Sequence, residues 1–333
     1  MEETILEHTL QMEDAKHMIA ELKQEVAKVI VGQEQVVEQL LWCMIAGGHA
    51  LLEGIPGLGK TMLVRTVSDA MELEFSRIQF TPDLMPADIT GTMLLDLSSH
   101  TQRFSKGPIF GNIVLADEIN RATPKTQSAL LEAMQEGTVT AGGESYTLPR
   151  PFFVLATQNP IEQEGTYPLP EAQLDRFLIK IGIQFPTRDE LKEIVKRTTG
   201  VKHESARPVI DGKKLEALQQ LAKQVLCSED MLELAVSFVM RTHPHEQDAP
   251  EQIKQYVRYG AGPRALQALI AISRVRALTL GRAHVSWGDI TYAAKPVLRH
   301  RLGLSYEALA QGIAADTLIE QIERTLEQQR AKV

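Results

Sequence analysis

The sequence predicts an α/β fold in which helices cover a parallel sheet, followed by a smaller domain made only of helices. Short, continuous runs of Val, Ile and Leu alternate with helical periods over residues 1–185, a pattern typical of parallel strands that are buried on both faces. From residue 186 onward only helical periods remain. A glycine-rich segment also separates the first strand from the helix that follows it. We therefore expect two domains, residues 1–185 and 186–333.

Five short apolar runs carry the strand prediction. They cover residues 49–53, 75–80, 112–117, 152–157 and 179–183. Helical periods precede and separate these runs, at residues 12–30, 33–46, 60–71 and 125–136. The second domain has helical periods at residues 213–226, 230–241, 264–280, 289–299 and 305–328. Ser286 and Asp289 have the spacing of a capping box, which marks the start of one of these helices.

The composition excludes some classes of protein. The chain has 333 residues, of which 44% are hydrophobic and 23% charged, so a folded core is expected rather than disorder. Lys and Arg number 35 against 43 Asp and Glu, which gives a net charge of −8. Such a balance argues against a nucleic-acid coat protein, because phosphate backbones attract positive charge. The densest basic run, residues 299–301, is expected to be a solvated helix end.

The compartment and the metal content can also be predicted. The N-terminal residues lack the pattern of a signal peptide, and the longest uncharged stretch, residues 40–52, is too short to span a bilayer. Cys43 and Cys227 have no redox or metal-ligand spacing around them. His243 and His245 form a close pair without further ligands. We expect a cytoplasmic protein with no membrane segment and no metal held by its histidines or cysteines.

The strongest motif is a G-x-x-x-x-G-K-T match at residues 54–61, between a predicted strand and a predicted helix. Its glycines let backbone N–H groups surround a phosphate chain, and the helix N-terminus adds partial positive charge. Lys60 is expected to reach the β and γ phosphates, and the Thr61 hydroxyl to bind Mg²⁺. The expected phosphate-binding residues are Gly54, Pro56, Gly57, Leu58, Gly59, Lys60, Thr61 and Met62. A chance glycine turn before a helix is the alternative.

Two acids stand at the end of the strand predicted at residues 112–117. Asp117 is its last residue, and Glu118 follows directly. Asp117 is placed to hold Mg²⁺ beside Thr61, and Glu118 to polarise a water in line with the γ-phosphate. The competing interpretation is a pair of exposed acids at a strand end. An acid pair at this place favours attack by water over transfer of the phosphoryl group to a small acceptor.

Three further side chains are candidates for contact with the γ-phosphate. Asn159 follows the strand at residues 152–157, where its amide could bind the attacking water or the γ-phosphate; the alternative is an ordinary turn, since Asn before Pro is common in turns. Arg176 ends a short helix and is a candidate cation from a neighbouring subunit; the alternative is an ion pair with Asp175 or Glu171. Arg264 stands just inside a helix N-terminus, where a positive charge does not complement the helix dipole, which favours a role facing phosphate.

These elements, in this order, resemble the AAA+ ATPases and, more closely, the MoxR family. The resemblance runs from about residue 30 to residue 302, and its motifs lie at residues 54–61, 117–122, 156–160, 165–177 and 262–265. It implies that Lys60 and Thr61 end the Walker A motif, and that Asp117 and Glu118 end the Walker B motif. By the same resemblance Asn159 is sensor 1, Arg176 an arginine finger acting in trans, and Arg264 sensor 2. Val31, Gly32 and Gln33 resemble the segment that lies against adenine.

The resemblance also implies partners. It predicts a hexameric ring that hydrolyses ATP with Mg²⁺ at subunit interfaces and acts as a chaperone in maturing or assembling client proteins. The partners of such systems are typically proteins with a von Willebrand factor A domain. Nucleic acid is not expected as a partner. Whether Arg264 serves its own nucleotide or the neighbour's stays open.

Two insertions, residues 83–103 and 137–149, resemble those of the same branch of AAA+ proteins. Alternating β-formers around Gly142 and Gly143 predict that the second is a hairpin. By resemblance both insertions point to the pore or the face of the ring and transmit the nucleotide state to the client. Surface hairpins without contacts are the alternative.

Three rival functions share parts of this pattern. A DNA-acting ring ATPase has the same core, but the chain lacks basic stretches interleaved with aromatic residues. A magnesium-chelatase-like subunit shares the insertions and the arginine after Leu174 and Asp175, but no residue indicates a porphyrin. A small-molecule kinase would need neither Arg176 in trans nor a helical domain carrying Arg264.

Overall fold

The computed structural model describes residues 11–96, 101–159, 165–199 and 205–331. Several predictions from the sequence lie outside the described residues. They concern the N-terminal residues 1–4, the tip of the first insertion at residues 97–100 and Pro160 of the motif at residues 156–160.

Eleven strands are present among the described residues. They are β1 Ala50–Glu53, β2 Phe75–Gln79, β3 Gly91–Asp96, β4 Thr101–Lys106, β5 Ile113–Asp117, β6 Thr138–Ala141, β7 Glu144–Thr147, β8 Phe153–Gln158, β9 Ile179–Gly182, β10 Val257–Tyr259 and β11 Gly303–Leu304. Five of them form the main sheet in the order β2-β5-β8-β1-β9, and all four pairings are parallel. The predicted α/β fold class is confirmed.

Fourteen helices surround and follow the sheet in the described part of the chain. They are α1 Met12–Val29, α2 Glu34–Ile45, α3 Lys60–Ala70, α4 Pro86–Thr90, α5 Pro124–Glu136, α6 Glu171–Leu174, α7 Arg188–Thr198, α8 Gly212–Gln224, α9 Glu229–Met240, α10 Glu251–Tyr256, α11 Pro263–Thr279, α12 Trp287–Leu298, α13 Tyr306–Ala310 and α14 Ala315–Arg330. Helices on both faces explain why successive residues of β1, β5 and β8 are apolar before the strands end, as at Leu51, Val114 and Leu155, which are fully buried.

The helical domain is built around α11, which packs against α8, α9 and α12. It is not made only of helices: β10 and β11 form a short antiparallel pair. The sequence could not predict these strands, because three and two residues are too few to show a period of two. The N-terminal helix α1 packs on both α11 and α3, so it joins the helical domain to the nucleotide domain.

The two insertions form hairpins that lie against each other. Strand β3 pairs with β4, and β6 pairs with β7 around Gly142 and Gly143. The ring of Phe104 stacks on that of Tyr146 with a centroid separation of 4.1 Å. A Cβ at Gly142 would stand 2.9 Å from Cγ of Met93, so the close approach of the hairpins requires glycine there.

The basic run at residues 299–301 is not a solvated helix end, and that prediction is wrong. Arg301 is only 7% exposed, and its guanidinium donates to the carboxylate of Asp175 and to backbone carbonyls near it. Arg299 is also partly buried, and it pairs with Asp316. The run is therefore the junction between the helical domain and the sheet rather than a surface for anions.

No helix among the described residues is long and apolar enough to cross a membrane.

Burial of His49 makes the stability of the fold depend on pH. The Nδ1 atom of His49 accepts a hydrogen bond from the backbone N–H of Val154 at 3.0 Å, and Nε2 lies 3.1 Å from the carbonyl oxygen of Met134. Burial lowers the pKa of His49 from 6.5 to about 4. Because the unfolded chain binds this proton more tightly, the neutral ring stabilises the fold above pH 6.5, and that contribution is lost as the pH falls towards 4.

We therefore expect the free energy of unfolding to fall between pH 6.5 and 4, and to fall less steeply in His49→Gln. Urea denaturation at several pH values measures both slopes. His17→Gln is the matched control, because His17 is exposed on α1. Equal slopes for wild type and His49→Gln would contradict the assignment.

Candidate functional site

The glycine loop lies between β1 and α3, at the carboxyl end of β1. Gly57 and Gly59 have positive φ angles of 83° and 73°, a backbone region that side chains disfavour. A Cβ at either position would have no atom within 4 Å, so open space faces the loop. The Nζ atom of Lys60 donates to the carbonyl oxygen of Gly54, which folds this side chain back over the loop.

Two carboxylates stand at the end of β5, next to the loop. The Thr157 hydroxyl, on the neighbouring strand β8, donates to Oδ1 of Asp117 at 2.6 Å and accepts the backbone N–H of Glu118 at 2.8 Å. Glu118 has a left-handed backbone, with φ 57°. Thr157 is fully buried, so it fixes the place where the strand ends and the two acids diverge.

Two side chains of β2 hold these acids, and the sequence analysis missed both. Arg77 donates to Oδ2 of Asp117 at 2.7 and 3.2 Å and to Oε1 of Gln79 at 2.8 Å. Gln79 in turn donates to Oε2 of Glu118 at 2.9 Å, and Arg121 donates to the same oxygen. Positions 77 and 79 share one face of β2, and residue 79 pairs with residue 117. The contact of Arg77 and Gln79 with the two acids becomes visible only when β2 is paired with β5, since β2 precedes β5 by more than thirty residues.

Two opposing effects act on the pKa of Lys60. Burial lowers its pKa, and the nearby carboxylates of Asp117, Glu118 and Glu53 oppose that shift. Lys60 and the two acids are therefore close enough to interact electrostatically. The three residues predicted to handle phosphate and water meet at one edge of the sheet.

A cavity of about 660 Å³ opens beside the glycine loop. Its walls include residues of α1, of the loop and of α7, among them Ile30, Val31, Gln33, Gly57, Leu58, Gly59, Met62, Phe185, Leu191 and Ile194. Gly32 is required between Val31 and Gln33, because its φ is +64° and a Cβ there would overlap Glu190 of α7. The size and the mostly apolar wall suit a purine and its ribose.

Asn159 comes directly after β8 at the same edge of the sheet, and it is 6% exposed. It makes a polar contact of its own in this structure. Strand β8 pairs with β5, which carries the two acids, and contact of the Asn159 amide with the attacking water stays a prediction.

Arg176 lies at the opposite edge of the sheet. It precedes β9, whose first residue pairs with the first residue of β1, whereas the glycine loop follows the last residue of β1. Its guanidinium donates to the carbonyl oxygen of Leu131 at 3.1 Å and to Gln135, near the end of α5. The alternative of an ion pair with Asp175 or Glu171 is wrong, because those acids face cations of the helical domain.

Arg264, at the start of α11, contacts Asp175, the residue before Arg176. Its Nη1 atom is 3.8 Å from Oδ2 of Asp175, and its side chain is 53% exposed. Within the described ranges, neither Arg264 nor Arg176 lines the 660 Å³ cavity. Asp175 therefore links Arg264 of the helical domain to the segment that carries Arg176.

The donor set beside the loop fits Mg²⁺. Oxygen ligands suit this ion, which keeps several waters and binds proteins through one or two side chains plus substrate phosphates. The hydroxyl of Thr61 and the carboxylate of Asp117 supply two such oxygens. Among the residues with a described structure, no group of three or more His, Cys, Asp or Glu could hold a metal alone. Such a pair needs the phosphates of a nucleotide to complete the coordination.

A glycine loop with a lysine, and two acids on the neighbouring strand, define a nucleotide-binding P-loop ATPase, and the helical domain behind it is typical of the AAA+ class. The chain belongs to the MoxR family of AAA+ ATPases, as comparison with known proteins shows. Residues 49–179 match the ATPase family associated with various cellular activities, and residues 250–322 match the AAA lid domain.

Individual relatives agree with this assignment. The chain is 44% identical to Chaperone MoxR1 of Mycobacterium tuberculosis over 91% of this chain and 80% of that protein. It is 30% identical to Protein MoxR of Methylorubrum extorquens, over 92% of this chain and 94% of the relative. A crystal structure of a protein assigned as an ATPase, from Cytophaga hutchinsonii, superposes with a TM-score of 0.89 at 41% identity and covers 94% of this chain and 96% of that one.

Proposed function

We propose that this ATPase works as a hexameric ring in which each nucleotide is bound by one subunit and completed by the next. The supporting observation is the place of Arg176. Strand β1 has four residues, so its first and last Cα atoms are about 10 Å apart at the usual rise per residue. The loop lies beyond one end, and Arg176 is tied to α5 at the other. An arginine held there reaches a γ-phosphate only in a neighbouring subunit.

Arg264 is part of the same proposal. Its carboxylate partner, Asp175, is the residue before Arg176, so a neighbour that meets one cation also meets the other. We assign both to the neighbour's nucleotide: Arg176 as the finger, and Arg264 as a second cation that binds phosphate. Two positive charges at the γ-phosphate would stabilise the charge that develops during transfer.

The remaining steps belong to the subunit that binds ATP. The glycine loop and Lys60 hold the phosphates, while Thr61 and Asp117 hold Mg²⁺, which neutralises phosphate charge when it is bound. Glu118 takes the proton from the attacking water, and Asn159 orients that water. Here Oε2 of Glu118 accepts hydrogen bonds from Gln79 and Arg121.

We propose that the substrates on which the ring acts are proteins. The relative from Mycobacterium tuberculosis is named a chaperone. We propose the same role here: remodelling or maturing client proteins with a partner that has a von Willebrand factor A domain. The packed hairpins β3-β4 and β6-β7 supply a surface for such contacts, since Leu94 and Leu95 on β3 are exposed.

The mass in solution of the Glu118→Gln variant tests whether the protein assembles into a ring. We expect light scattering to give a mass near six protomers with MgATP, because ATP that is not hydrolysed keeps the interfaces occupied. The same variant without nucleotide is the control for assembly that does not need ATP. A monomer under both conditions would contradict the proposal, since Arg176 would then have no neighbour.

A further inference from the structure

The segment that carries the finger, residues 171–177, is held by side chains of the helical domain. We call it the finger segment. Glu171 at its start lies 3.7 Å from the guanidinium of Arg258, on β10. Asp175 near its end faces Arg264 and Arg301. The finger segment therefore connects the domain that contains the sheet to the helical domain. Its position depends on the position of the helical domain.

Arg301 makes the most extensive of these contacts. Its Nε donates to Oδ1 of Asp175 at 2.7 Å, and Nη2 donates to the carbonyl oxygen of Phe177 at 2.7 Å. Its Nη1 donates to the carbonyl oxygen of Leu178 at 3.1 Å and to that of Val297, in the last turn of α12. A single guanidinium therefore binds the residues on both sides of Arg176 and fastens them to α12.

Stability alone does not explain why the guanidinium of Arg301 is buried. A buried ion pair adds little to stability compared with apolar residues of similar volume, because both charges lose water. Burial lowers the pKa of Arg301, and the carboxylate of Asp175 opposes that shift. What the arginine does supply is geometry: a planar fork fixes the directions of several acceptors at once. Those acceptors are the backbone that orients Arg176 and the carboxylate that faces Arg264.

We propose that Arg301 is a positioning residue, which holds Arg176 and Arg264 as one rigid pair for the neighbouring subunit's nucleotide. The inference rests on the proposed function, in which both cations act across the interface. Arg301 itself touches no nucleotide. Its loss disturbs hydrolysis at the next subunit and leaves nucleotide binding in its own subunit unchanged.

Complementation in mixed rings tests this directly. A protomer with Glu118→Gln lacks the base but keeps its finger, and one with Arg176→Ala lacks the finger but keeps its base. Arg301→Met removes the fork and keeps an apolar side chain of similar length. Mixing it with Glu118→Gln should restore ATPase activity, whereas mixing it with Arg176→Ala should not. Alone, Arg301→Met should lower turnover by ~10- to 100-fold, the scale of a misplaced catalytic group, with an unchanged Kd for ATP.

The opposite pattern overturns the inference: restoration with Arg176→Ala and none with Glu118→Gln would assign Arg301 to its own nucleotide. Turnover close to wild type in Arg301→Met would overturn it as well. The reference mixture of Glu118→Gln with Arg176→Ala separates the two proposals. If this mixture stays inactive in rings that contain both variants, the proposed function fails, and this inference fails with it.

Two further variants keep the test independent of folding. Asp175→Asn removes the charge that Arg301 and Arg264 share, and it should fall in the same complementation group as Arg301→Met. Arg241→Met is the matched control. Arg241 is an arginine of the helical domain that is 5% exposed, and it bonds to Gln329, away from the finger segment. Its turnover should stay within about twofold of wild type. The same loss of turnover in Arg241→Met would mean that Arg301 acts only through the stability of the helical domain.

Discussion

Glu118→Gln is expected to lower ATP turnover by at least ~100-fold, the usual contribution of a positioned general base. The amide cannot accept the proton of the attacking water. Its shape is nearly that of the acid, and the phosphates are held by the glycine loop and Lys60. The Kd for ATP should therefore stay within about threefold of wild type. A steady-state ATPase assay and binding of a fluorescent ATP analogue measure the two quantities.

Glu327→Gln is the control for this substitution, since Glu327 is exposed in the last turns of α14. It should leave turnover unchanged. A Glu118→Gln protein that hydrolyses ATP at the wild-type rate would remove Glu118 from the role of base, and another acceptor of the proton would have to be sought.

Arg176→Ala is expected to lower turnover by ~10³-fold, the lower range for an arginine finger. The loss follows from unbalanced charge on the γ-phosphate during transfer. The Kd for ATP of an isolated subunit should not change, because Arg176 lies at the edge of the sheet opposite its own loop. Turnover and binding, each measured on the same preparation, give both values.

Arg324→Ala removes an exposed arginine from α14 and serves as the control. A large loss of ATP binding by monomeric Arg176→Ala would contradict the account, because it would place the arginine in its own nucleotide site.

Local patterns explain what could be predicted from the sequence. The strands β1, β5 and β8 are short apolar runs, and the glycine loop has a fixed spacing between a strand and a helix. Because the carboxyl ends of parallel strands meet at one edge of the sheet, the order of the motifs also favoured a place for Asp117 beside Thr61, next to the glycine loop. The fold class and the family follow from such features, since they depend on residues that are near one another in the chain.

Contacts between distant residues explain what was missed. Arg301 bonds to Asp175, which is 126 positions earlier, and a helical period ending in Arg299 and Arg301 resembles any solvated helix end. Arg77 and Gln79 were missed for a similar reason, because their partners belong to a strand about forty residues later. Charged side chains acquire a partner through the packing of helices and strands, and no local pattern records that partner.

The ATPase rate of mixed rings tests the central claim, that the site of hydrolysis is shared by two subunits. Equimolar Glu118→Gln and Arg176→Ala proteins are each expected to be nearly inactive alone. In randomly mixed rings, about one quarter of the interfaces pair an intact base with an intact finger. The account therefore predicts recovery of about one quarter of the wild-type rate. No recovery, in rings shown to contain both variants, would contradict it and would place base and finger in one subunit.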